Sequence, residues 1–194
     1  MKEGLPSLLS RVRLLRFLIE SQGAPSPLAW IDGTQTHSEY VTNRETLFDA
    51  LKGFSAALRV IPSIPVVLHV TAHGNTIGIQ AGNEIVAWSD LKPCLAALNA
   101  ACGDRLLLCM SSCKGVSAAV MALSDGQPPF HTIVGAEDNI GIGVNANWHS
   151  FYGRLANGES LDAAFDSLQA ECKAHRERFF MLTAAELQLH VSLQ

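Results

Sequence analysis

The chain has 194 residues, 48% of them hydrophobic and 16% charged, with a formal net charge of −4. That supplies apolar material for one substantial core and excludes the low-hydropathy, high-charge profile of a disordered chain. An acidic balance with no long basic run argues against nucleic-acid binding as the main activity, and no apolar run reaches the length of a membrane span. A single domain over residues 1–194 is expected.

The opening Met1-Lys2-Glu3-Gly4-Leu5-Pro6 lacks the basic, apolar and small-residue regions of a secretory signal. Cys94, Cys102, Cys109, Cys113 and Cys172 are odd in number and include no Cys-x-x-Cys pair, so neither a disulfide framework nor a structural zinc site is expected. Free thiols without an export signal point to a cytoplasmic location.

Residues 7–22 fit either a helix or a buried strand, and the alternating pattern downstream favours a strand over about Arg13 to Glu20. Gln22 to Thr42 reads as a long loop, with a short strand at Leu28 to Ile31. Thr42 or Asn43 caps a helix to about Leu58, with Leu47, Leu51 and Phe54 on its apolar stripe. Val66 to Val70 is a solidly apolar strand. Residues 77–80 and 84–88 form a hairpin around Ala81-Gly82-Asn83. Ser89 or Asp90 caps a helix over Leu91 to Ala101, and Leu106 to Met110 is a second solidly apolar strand. Then come a helix over Val116 to Leu123, a short strand at Thr132 to Gly135, a helix from Trp148 to about Asn157, and a helix capped by Ser160 that runs to about His175. The tail after Arg178 is helix-prone. Strands alternating with helices predict an α/β fold with a mainly parallel sheet.

Each of the two apolar strands runs into a small polar segment with one reactive residue: Thr71-Ala72-His73-Gly74-Asn75 and Ser111-Ser112-Cys113-Lys114-Gly115. Chemistry in open α/β sheets collects at the carboxyl ends of the strands. If the two strands are neighbours, His73 and Cys113 share that edge. An imidazole and a helix N-terminus beside a thiol favour its thiolate, and the backbone N–H groups of Gly74 and Cys113 are placed to receive an oxyanion. The competing interpretation is a buried free thiol and a hydrogen-bonded histidine. Cys109, inside the strand, is expected to be inert, and His69 to be a satisfied core histidine. His131 and His149 have no paired ligand spacing.

An apolar strand followed by His-Gly, then an apolar strand followed by two small residues and Cys-x-Gly, resembles the caspase-like cysteine peptidases, and within them the bacterial CHAT-type members. The resemblance covers roughly Val66 to Gln169, including Ala87-Trp88-Ser89-Asp90-Leu91 and the later Phe151-Tyr152 and Asn157-Gly158-Glu159-Ser160-Leu161-Asp162-Ala163-Ala164. It implies a caspase-like three-layer sandwich and a Cys–His dyad endopeptidase acting on a protein or peptide, with no metal or organic cofactor. By position, Cys113 is the nucleophile, His73 the general acid/base, and Gly74 and Cys113 the oxyanion donors.

Several relatives carry an acidic residue just before the cysteine, which receives a basic substrate side chain; Ser111 and Ser112 stand there in this chain. Ser111, together with Glu20, Asp32, Glu137 and Asp138 at predicted strand ends or loops of the same edge, forms the candidate substrate-binding set. Each of those acids also reads as a solvated loop charge. No appended sensor or repeat domain is seen, so control by a separate regulatory protein is expected. The alternative is a non-catalytic caspase-like scaffold that binds a partner protein. Neither a nucleic acid nor a membrane is an expected partner.

Overall fold

The computed structural model describes residues 15–20, 35–59, 66–141, 144–173 and 177–192. Among these residues, eight strands and five α-helices follow one another as β1 (Leu15–Glu20), β2 (Gln35–Tyr40), α1 (Arg44–Leu58), β3 (Val66–Thr71), β4 (Gly78–Ala81), β5 (Glu84–Ala87), α2 (Trp88–Ala101), β6 (Leu106–Ser111), a 3-10 helix (Gly115–Ala122), β7 (Thr132–Ala136), α3 (Val144–Ala156), α4 (Leu161–Lys173), β8 (Phe179–Thr183) and α5 (Ala184–Ser192). Six strands form one sheet in the order β2-β1-β3-β6-β7-β8. Every neighbouring pair is parallel except β7 with β8. The expected α/β class with a mainly parallel sheet is therefore present.

The two apolar runs are solid because the strands are covered on both faces. Val66, Leu68 and Val70 of β3 and Leu106, Leu108 and Met110 of β6 pack with α1, α2 and the 3-10 helix. Val67 and Cys109 pack on the other side with α3, α4 and β8. Period-two alternation thus splits each strand between two cores. His69 belongs to the α3 side, where its Nδ1 lies 2.7 Å from the Tyr152 hydroxyl and its ring meets Trp148 edge-on at 4.8 Å. It is the core histidine the sequence suggests.

Local signals account for most boundaries. Asn43 caps α1: its Oδ1 accepts from the Thr46 N–H at 2.9 Å, and Thr46 Oγ1 accepts from the Asn43 N–H at 3.2 Å. Leu47, Leu51 and Phe54 are buried as their spacing requires. β4 and β5 form the expected antiparallel hairpin, turned by Gly82 at φ +62°. Ser160 Oγ accepts from the Ala163 N–H at the start of α4.

Three expectations need correction. The predicted loop from Gln22 to Thr42 contains β2, and the expected strand at Leu28 to Ile31 lies outside the described residues. β2 reads Gln-Thr-His-Ser-Glu-Tyr; it is an edge strand, and its residues 37–40 are exposed, so no apolar alternation marks it. Helix α2 begins at Trp88 rather than after a Ser89 or Asp90 cap, because Trp88 is buried and donates from its N–H to Ile77 O at 3.0 Å and from Nε1 to Thr76 O at 3.1 Å. The helix-prone tail first forms β8, whose Phe179 packs against Trp148 at 5.6 Å before α5 begins.

Leu108 lies at the centre of the sheet and is fully buried. Leu108→Ala is expected to lower unfolding free energy by about 2–5 kcal/mol, whereas Val120→Ala, at a half-exposed site, should change it by less than about 0.5 kcal/mol. Chemical denaturation of the two variants checks the contrast.

Candidate active site

The site is built on the pairing of β3 with β6. The two strands run parallel in a register that sets Val66 opposite Leu106 and Thr71 opposite Ser111. Their carboxyl ends therefore stop flush, and the two polar segments leave the sheet side by side. The ladder continues one bond further, from the Ala72 N–H to Ser111 O at 3.4 Å, and then the chains diverge.

The divergence is small. A Cβ on Gly74 would lie 2.7 Å from Cys113 O and 3.1 Å from both Cβ and Oγ of Ser112. Glycine at position 74 is what allows this backbone contact, and a side chain there would have to displace main chain. Residues 73–75 are held from the opposite side by the hairpin. Gly74 bridges Ile79, the Gln80 N–H donates to His73 O at 2.8 Å, and the Asn75 N–H donates to Gly78 O at 3.0 Å. In this antiparallel pattern Gly74 occupies a non-hydrogen-bonded pair, so its N–H points away from β4. Among the described residues neither the Gly74 nor the Cys113 amide has a hydrogen-bond partner. Both residues are half-buried, so these donors are open to water or to an incoming anionic oxygen.

After Cys113 the chain turns through Lys114, which adopts the left-handed conformation at φ 56°, ψ 26°. A non-glycine residue there carries strain of about 1 kcal/mol or more. Three bonds hold the turn: the Lys114 N–H to Asp138 O at 3.1 Å, the Gly115 N–H to Ser112 O at 3.1 Å, and the Ser117 N–H to Lys114 O at 2.9 Å. The helix expected from Val116 forms one residue earlier and in 3-10 form.

His73 and Cys113 follow the flush ends of β3 and β6, and no hydrogen bond joins them among the described residues. His73 is exposed, and Cys113 is half-buried with its Sγ 4.0 Å from Ile140 O. Catalytic hydrogen bonds of unliganded sites are often long and tighten on substrate binding. Cys109 is fully buried, as an inert thiol should be.

The candidate substrate-binding residues fall in different settings. Glu20 ends β1 opposite Thr71, on the same edge as the segments of His73 and Cys113. Asp32 lies outside the described residues. Ser111 is only 4% exposed, which leaves its hydroxyl off the accessible rim; its carbonyl completes the ladder to Ala72. Glu137 and Asp138 follow β7 onto the rim, but each acid already faces a cation. Arg178 pairs with Glu137 at 2.5 Å and Lys114 with Asp138 at 2.5 Å. The Lys114 hydrogen bond and charge hold the Asp138 carboxyl below its ordinary range. Sequence reasoning did not single out Ile140, which acts through its carbonyl and leaves no side-chain signal. Nor did it single out Asn75, whose Asn-x-x-Gly spacing is a turn signal. Among the described residues no group of three or more His, Cys, Asp or Glu is placed to hold a metal ion, and no helix is long and apolar enough to cross a membrane.

Burial pushes the Cys94, Cys102 and Cys172 thiols up from their ordinary value, and Cys109 is inaccessible. Iodoacetamide near neutral pH is therefore expected to modify Cys113 ahead of the other four, which mass spectrometry of peptides would read directly. Compared with protein-family models and with curated proteins, the chain has no match in either.

Proposed function

We propose that the chain is a Cys–His dyad endopeptidase on a caspase-like sandwich similar to the CHAT-type members. The observation that carries this reading is the flush register of β3 and β6, which brings Gly74, next to His73, against Ser112 and Cys113, with two amides unpaired among the described residues and a half-buried thiol on the same segment.

In this mechanism His73 accepts the thiol proton and Cys113 Sγ attacks the scissile carbonyl carbon. The carbonyl π pair moves onto oxygen, and the N–H groups of Gly74 and Cys113 stabilise that charge. When the C–N bond breaks, His73 gives its proton to the leaving amine, and a thioester remains. Water then attacks the thioester while His73 takes its proton. The S–C bond breaks, and Cys113 recovers a proton as the acid product leaves. The site needs no metal or organic cofactor for these steps. A protein substrate in a cytoplasmic setting and control by a separate regulatory protein belong to the same proposal.

A scaffold that binds a partner without catalysis is the second reading. It is favoured by the thiol lying against Ile140 O rather than against the imidazole.

A peptide carrying a thiol-reactive electrophile separates the two. The dyad predicts modification of Cys113 at a rate that His73→Ala lowers by about 100-fold and that Gly74→Ala also lowers through the contact with Cys113 O. In a peptide-library digest, the dyad predicts new termini that disappear with Cys113→Ala. Labelling that is indifferent to His73 would favour the scaffold and end the catalytic reading.

A further inference from the structure

His73 and Gly74 lie beyond the last residue of β3, so the main sheet alone does not place them. Their position comes from the hairpin, which reaches them through main-chain bonds and through a turn closed by one side chain. Asn75 Oδ1 accepts from the Ile77 N–H at 2.8 Å and from the Gly78 N–H at 3.0 Å, while the Asn75 N–H donates to Gly78 O at 3.0 Å. The carboxamide closes a tight turn that folds residues 73–75 back onto β4. From there the Gln80 N–H reaches His73 O at 2.8 Å and Gly74 bridges Ile79. The hairpin is in turn anchored to the core by Trp88, which is buried and bonded to Thr76 O and Ile77 O. No other side chain among the described residues bonds the backbone of residues 75–78 apart from Trp88, which acts on the far side of the turn.

The geometry points to Asn75 as a positioning residue for the dyad: by accepting two backbone N–H groups it sets the height of His73 over Cys113. This rests on the dyad proposed above. Asp keeps the acceptor oxygen and should replace Asn75. Ala removes the acceptor, and Gln moves it by one methylene. The effect passes through His73, so it should vanish when the imidazole is gone.

The test is the rate at which a peptide-based electrophile labels Cys113 in the full chain, in wild type, Asn75→Ala, Asn75→Asp, Asn75→Gln, His73→Ala and the His73→Ala/Asn75→Ala double variant. A misplacement of about 1 Å near reacting groups costs up to about 100-fold. Slowing of about ten-fold is therefore expected in Asn75→Ala and Asn75→Gln, with recovery to within about three-fold in Asn75→Asp. In the His73→Ala background the second substitution should add less than about two-fold, the non-additivity of groups acting as a unit. Wild-type labelling in Asn75→Ala with slow labelling in His73→Ala would overturn this inference and leave the dyad standing. Equal slowing by Asn75→Ala with and without His73, or no recovery in Asn75→Asp, would show a general structural role and overturn it as well. Wild-type labelling in His73→Ala would overturn the dyad and the inference together.

Discussion

The pairing of β3 with β6 is the constraint on which the rest of this molecule depends. Two residues forty positions apart can cooperate only if their strands are neighbours, run the same way and end at the same height. Parallel pairing meets the second condition, and the register of Thr71 with Ser111 meets the third. A slip of one residue would exchange every side chain between the two cores. It would turn Leu68 and Leu108 toward α3 and α4, and His69 toward the aliphatic layer beneath α1 and α2. The alternating burial of both strands thus protects the register, and the register places the polar segments.

Much of this was legible in the residues. Solid apolar runs followed by His-Gly and Ser-Cys announce buried parallel strands that end in polar segments, and Asn43, Gly82 and Ser160 mark boundaries by local chemistry. What escaped has physical causes. β2 is an exposed edge strand of polar residues and presents no burial pattern to read. The start of α2 is set by the burial and bonding of Trp88, a tertiary effect that overrides the cap signal of Ser89 and Asp90. Phe179 to Thr183 is a five-residue strand whose pairing with β7 is invisible without the fold. At the site, the shared edge of the two polar segments follows from the strand pattern. The ion pairs that occupy Glu137 and Asp138 do not, because Arg178 is some forty residues away in sequence and meets β7 only through the antiparallel edge.

Those pairs give the rim its electrostatic character. Glu137 and Asp138 face Arg178 and Lys114, so the segment after β7 carries compensated charge. The segment after β7 is tied to its surroundings by these contacts, by the Lys114 N–H to Asp138 O bond and by Glu177, whose Oε1 accepts from the Gly141 N–H at 2.8 Å. Exposed pairs of this kind weaken as salt screens them, whereas the backbone bonds beside them do not.

The 40-residue interval between the imidazole and the thiol also bears on how the molecule comes into being. A hairpin and a complete helix must be threaded between the two strands before their ends can meet, and contacts this remote in sequence form late because closing the intervening loop costs entropy first. A fragment that lacks either strand lacks one half of the rim. The nascent polypeptide therefore has His73 and Cys113 apart until the crossover is complete and the sheet around them has closed.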